Sequence, residues 1–167
     1  DSSSRLQIES SNFQNNNISI NIEGNAKIIN SKVIQNIQNA AIQVTGKAEI
    51  LSSEFSNNKC PVFVGGKGSL TISKTSFAGS ERHMELGGEA NCQCDECKFE
   101  QASGDAAINV TEKSTLVLQK CSITQSKLVG ISTEASTSIY DSFISNAGKV
   151  GLMLNPGATG EIKGNEF

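Results

Sequence analysis

Apolar side chains fall two apart along this chain, in short runs broken by small and polar residues, and the runs recur. The recurrence is clearest at one position, filled by Phe13, Val33, Phe55, Phe77, Phe99, Ile123, Ile144 and Phe167, at spacings of 20 to 24 residues that average 22. A fixed period in the twenties predicts a solenoid. Counting back from each closing residue, the same columns refill. Five places before it stand Ile8, Ile28, Ile50, Ile72, Cys94, Leu118, Ile139 and Ile162. Thirteen before it stand Ile20, Ile42, Val64, Leu86, Val110, Ile131 and Leu154. Two before it the residue is small or polar: Ser11, Ser31, Ser53, Thr75, Cys97, Cys121, Ser142 and Asn165. Nine before it the residue is usually tiny, as in Gly24, Gly46, Gly68 and Ala90, which marks a turn.

Spacing of two is strand spacing, because successive side chains of a strand point to opposite faces, whereas a helix repeats at three and four. Each repeat predicts three short strands: one around Ile18, Ile20 and Ile22, one around Ala26 and Ile28, and one closing on Ser31 and Val33. One repeat is then one turn of a coil, and successive turns pair in parallel. About eight coils of about 22 residues follow, and at about 4.8 Å per coil they make a rod roughly 35–40 Å long. In this register no insertion falls between the column fifteen before the close and the close itself. The length variation is therefore expected at one corner, the segment after each close, and loops on one face of a solenoid are often its binding face.

The arrangement resembles the single-stranded right-handed parallel β-helix of the pectin-lyase-like superfamily. The strand columns carry the resemblance, together with an Asn or Gln two places after the close: Asn15, Gln35, Asn57, Gln101, Gln125 and Asn146, with Gly79 breaking the row. It covers essentially the whole chain and implies an all-β solenoid with these amides stacked as a polar ladder. That superfamily hosts lyases, hydrolases, adhesins and non-catalytic interaction modules, so fold alone leaves function open. A second resemblance lies in Phe13–Asn16, Phe55–Asn58 and Phe143–Asn146, which are similar to the F-x-x-N repeats of polymorphic outer membrane protein passengers. Ala40–Ile42 and Ala106–Ile108 approximate the partner motif of those repeats. It implies a surface adhesin or autotransporter-like passenger as an alternative.

Composition narrows the rest. One continuous repeat over 167 residues reads as a single domain, residues 1–167. Fourteen Lys and Arg are scattered among 17 Asp and Glu, for a net charge of −3, so there is no basic stripe for a nucleic acid. No apolar run reaches the length of a membrane span. Leu6 and Ile8 already read as a strand and Phe167 closes one, so neither end resembles a polar cap. The expectation is a segment of a longer protein whose open coil ends could meet end to end. Intracellular and cell-surface settings are not separated by any of this.

Candidate chemistry is sparse. Cys92, Cys94 and Cys97 form a C-x-C-x-x-C run, but the register places them in core and corner columns, where free Cys behaves as a small hydrophobe. No metal site or cofactor is expected. Cys97 and Cys121 share a column one coil apart. For a polysaccharide lyase or hydrolase, the one equipped cluster is Glu85, Glu89 and Lys67 beside Arg82 and His83. The alternation of Lys67, Glu89, Lys113 and Glu134 favours solvated cross-strand pairs instead. None of the motifs that the superfamily's enzymes imply, Asn-Thr-Asp, Asp-Asp or Gly-His-Gly, is present. There is no Trp and only one Tyr for a sugar platform. A non-catalytic interaction or scaffolding module is therefore expected, with a protein as partner and carbohydrate as the alternative. Lys59, Arg82, His83, Asp105, Lys127 and Lys149 on the variable corner are the expected contacts, with Phe143 outward on another face.

Overall fold

The computed structural model describes residues 5–167, and every regular element among them is a β-strand. The first sheet takes Ile20–Ile22, Ala40–Val44, Cys60–Val64, Met84–Leu86, Ala106–Val110, Val129–Thr133 and Val150–Leu154. The second takes Arg5–Glu9, Asn25–Ile29, Lys47–Leu51, Ser69–Ser73, Asn91–Asp95, Thr115–Gln119, Ser136–Tyr140 and Ile162–Lys163. The third takes Asn12–Gln14, Lys32–Ile34, Glu54–Ser56, Ser76–Ala78, Lys98–Glu100, Ser122–Thr124 and Phe143–Ser145. Neighbouring strands pair in parallel, each with its counterpart one coil away, as the period requires. The closing residues number eight but bound seven intervals, so the rod has about seven turns rather than eight.

Inward columns fill the axis. Phe55, Phe77 and Phe99 are fully buried and their rings stack at 4.8 Å between centroids, 11° from parallel. The serine column is a second buried row. Ser31 Oγ donates to the Ile29 carbonyl at 2.9 Å and accepts from the Ser11 N–H at 3.2 Å. Ser53 does the same, donating to Leu51 at 3.0 Å and accepting from the Ser31 N–H at 3.2 Å. Each rung thus satisfies a corner amide, and adds a second donor to a carbonyl that already accepts from the neighbouring coil, as Ile29 O does from Ser10 N–H at 3.0 Å and Leu51 O from Asn30 N–H at 3.1 Å. Thr75 Oγ1 continues the row, and in the two coils after it Cys97 and Cys121 take the hydroxyl's place, with Sγ 3.4 and 3.3 Å from the Asp95 and Gln119 carbonyls.

Three readings change. The amides two places after the close do not form the buried ladder. Asn15, Gln35, Asn57, Gly79, Gln101, Gln125 and Asn146 all have φ between 53° and 64°, so the position selects for residues that tolerate a left-handed backbone. These positions are all exposed, and a buried ladder falls one residue later. There Asn36 N–H and Nδ2 both donate to Asn58 Oδ1 at 2.9 Å, and Asn58 N–H donates to Ser80 Oγ at 3.2 Å.

The first sheet also has a different register. Ile20, Ile42, Val62, Met84, Ile108, Ile131 and Leu152 share one column, and Ile22, Val44, Val64, Leu86, Val110, Thr133 and Leu154 the next inward one. A second corner therefore varies in length. It is tight at Thr45–Gly46 and two residues longer at Gly65–Gly68, Gly87–Ala90 and Thr111–Ser114. An even insertion leaves the alternation intact, so the hydrophobic pattern cannot register it.

Candidate functional site

The corner after each close, between the third and first sheets, is built from loops 15–19, 35–39, 57–59, 79–83, 101–105, 125–128 and 146–149. These loops are bonded to one another as the strands are. Lys59 N–H donates to Asn36 O at 2.8 Å, Arg82 N–H to Lys59 O at 3.0 Å, Gly104 N–H to Glu81 O at 2.7 Å and Lys127 N–H to Ala102 O at 2.8 Å. A variable corner becomes a continuous ledge along the rod.

Beside the ledge, the corrected outward row of the first sheet reads Asn21, Gln43, Phe63, Glu85, Asn109, Ser132 and Met153. Ledge and sheet enclose an open groove of about 310 Å³ across three coils. Gln38, Asn39 and Gln43 line one end and Lys59, Cys60 and Phe63 the middle. Glu81, Arg82 and Glu85 line the other end. Arg82 Nη1 meets Glu85 Oε2 at 2.7 Å, with both side chains about one third exposed (30% and 35%). Arg82 Nε is buried without a hydrogen-bond partner among the described residues. Burial, with Glu85 adding to it and Arg82 opposing it, pushes the half-buried Cys60 thiol up to about 12. A shift in that direction favours the protonated thiol over the thiolate.

The residues expected to act as an acid–base cluster are not brought together. Glu85 and Arg82 lie in the groove. Lys67 and Glu89 lie on the second variable corner, at the far end of the first-sheet strands, as a well-solvated pair 3.8 Å apart. His83, expected at the surface both in that cluster and as a partner contact, is fully buried. Its ring lies against Phe77 and Phe99, with centroids 6.2 and 6.1 Å away, and neither ring nitrogen has a hydrogen-bond partner among the described residues. Burial lowers its pKa to about 4, against a weak opposing pull from the Glu100 backbone. An alternation of one residue decides this: the loop turns Arg82 out and therefore its successor in.

Of the remaining expected contacts, Lys59, Asp105, Lys127 and Lys149 are exposed on the ledge. Phe143 is 39% exposed on the third sheet, away from the groove. Cys92, Cys94, Cys97 and Cys121 face the core, with Cys92 Sγ 3.8 Å from Cys94 Sγ and 3.5 Å from Met84 Sδ. Hydrogen bonding to neighbouring thiols, then burial, pushes Cys94 and Cys121 up. All five cysteines are free thiols. Gln38, Asn39, Gln43 and Cys60 entered the site unannounced. Only the correct first-sheet register, which sets Gln43 and Glu85 on either side of Phe63, would have found the sheet half of that set.

Comparison with known proteins addresses the scaffold. The family model for the right-handed beta helix region matches residues 40–167. No curated protein matches the chain in sequence. Among solved structures, the catalytic unit of a thermostable GH87 alpha-1,3-glucanase from Streptomyces thermodiastaticus strain HF3-3 is similar, with a TM-score of 0.59 at 9% identity. The match covers 95% of this chain and 44% of that one, so this chain spans less than half of its length. At that identity the likeness is one of fold. With parallel strands in three sheets, seven turns and a family match over most of its length, the chain belongs to the right-handed β-helix family.

Proposed function

We propose that the rod is a non-catalytic protein-interaction module whose partner docks in the groove at the variable corner. The observation that carries this is the groove's construction. Three successive loops, bonded to one another, carry Lys59, Glu81 and Arg82 along the edge of a first-sheet floor that supplies Phe63 and the Glu85 partner of Arg82. An anchor pocket ringed by oriented polar groups on a rigid scaffold is the usual anatomy of a recognition site. Asp105, Lys127 and Lys149 extend the footprint along the ledge. Acid–base catalysis needs a titratable group free to meet the substrate. Here Glu85 is engaged by Arg82, His83 is enclosed, and Glu81 is the groove carboxylate without an ion-pair partner among the described residues.

A second reading, a saccharide ligand in the same groove, is favoured by the amides of Gln38, Asn39 and Gln43 around Phe63. The test uses charge reversal. Lys59→Glu and Arg82→Glu are expected to weaken a captured protein partner at least about tenfold, equivalent to about 1.4 kcal/mol, while Lys98→Glu on the third sheet leaves it unchanged. Equal binding by all three variants would remove the groove from the interface. Saturable oligosaccharide binding lost in Phe63→Ala would favour the second reading. Release of sugar fragments from a glucan or polygalacturonate would overturn the non-catalytic one.

A further inference from the structure

Resting on the groove reading, we propose that His83 is an acid-sensitive latch: the neutral imidazole, seated beside the stacked rings of Phe77 and Phe99, holds loop 79–83 in its groove-forming shape, and protonation releases it. The seat is the flank of the Phe77–Phe99 stack, against which the imidazole lies tilted by 55° and 46°. The imidazole is fully buried, neither nitrogen makes a well-formed hydrogen bond among the described residues, and the Glu100 backbone favours the charged form by less than burial opposes it. Aromatic faces attract cations, but that attraction is small beside the cost of removing an unpaired charge from water.

The groups that face the ring from each packed element are few. The third sheet offers Phe77, Phe99 and the backbone of Glu100, whose own side chain is exposed. On the loop itself Glu81 is exposed and Arg82 is held by Glu85. On the next loop Asp105 is exposed. Among the described residues, no carboxylate is placed to receive the proton's charge.

The loop depends on this seat. Glu81 N–H to Asn58 O at 3.2 Å, Arg82 N–H to Lys59 O at 3.0 Å and His83 N–H to Ala107 O at 2.8 Å tie it to both neighbours. Loop 101–105 in turn rests on it through Ser103 N–H to Ser80 O at 2.9 Å and Gly104 N–H to Glu81 O at 2.7 Å. Release of His83 would carry Glu81 and Arg82 away from Glu85 and open one end of the groove. The strands on either side keep their own ladders, so the rod stays folded. The folded-state pKa lies below the ordinary histidine value of 6.5, so the latch is at full strength above pH 6.5. Between pH 6.5 and about 4 it weakens by about tenfold per pH unit.

Hydrogen exchange tests this without any partner, so a failed groove assignment and a failed latch give different results. After correction for intrinsic exchange, amides of loops 79–83 and 101–105 in the unaltered protein are expected to lose at least about tenfold protection between pH 7 and pH 4.5. Strand amides at Ile72 and Phe99 should keep theirs, and His83→Phe should hold both loops protected at either pH. Unchanged protection in the unaltered protein, or an equal loss in His83→Phe, overturns the proposal. If His83→Phe does not fold, the ring is titrated by NMR in the unaltered protein. Titration well below 6.5 with coincident loop shifts supports the latch, and titration near 6.5 or without loop shifts overturns it.

Discussion

Lys74, Glu96 and Lys120 hold backbone angles that their side chains do not favour. They sit with Ser10, Asn30, Ser52 and Asp141 in a row at φ between 48° and 52°, one per coil, where the second sheet turns into the third. Left-handed geometry costs an L-residue about 1–2 kcal/mol, and glycine avoids that at the expense of unfolded-state entropy. Glu96→Gly and Lys120→Gly are therefore expected to raise unfolding free energy by up to about 1 kcal/mol each, read as a higher midpoint in urea at unchanged slope. A fall in midpoint for both would show that the corner is not strained. At this scale the sequence was only partly legible. The amide row after each close could be seen, but its reason could not, because a side chain suited to a ladder and a backbone suited to a left-handed turn both select Asn. His83 misled in the opposite way: charged neighbours at Glu81 and Arg82 suggested a surface loop, and the inward turn of one residue was set by the flank of the Phe77–Phe99 stack, which only the coil provides.

Among the elements, the second and third sheets could be read directly from the chain and the first could not. Ile50 and Phe55, or Ile72 and Phe77, stand five residues apart in every coil because the corner between those two sheets has constant length. Ahead of the first-to-second corner the spacing jumps by two, from Val44–Ala48 to Val64–Leu70, and a jump of two preserves every inward and outward assignment. A column that sets Ile42 level with Val64 puts Ala41 beside Phe63 and hides the groove, whereas the strands pair Gln43 with Phe63. The serine row, by contrast, is a property of the corner it closes. Ser53→Ala removes both the acceptor for Ser31 N–H and the donor to Leu51, and is expected to cost about 1–3 kcal/mol in denaturant unfolding. Ser53→Cys should cost clearly less, because Cys97 and Cys121 already occupy equivalent rungs. Equal losses in the two variants would mean that packing, not the rung's hydrogen bonds, sets the cost.

For the whole molecule, each coil touches only the coils before and after it, so stability is shared between neighbours and not drawn from a central nucleus. Removing residues 56–77 joins Phe55 to Ala78, deletes 22 residues and leaves each remaining column in step. The shortened chain is expected to keep a cooperative thermal transition and an all-β circular dichroism spectrum. A deletion of 56–72 stops partway round a turn and should abolish both. Survival of both chains would refute the strict stacking. The groove spans three coils, two of which this excision removes or splices, so fold and recognition would part company in the surviving chain. The stacked phenylalanines at 4.8 Å make the same point in another currency. Each turn is a template whose upper and lower surfaces are nearly identical, so such a chain can gain or lose length by duplication or loss of whole coding units without inventing a new core, while every added unit brings a fresh, unconstrained loop to its edge.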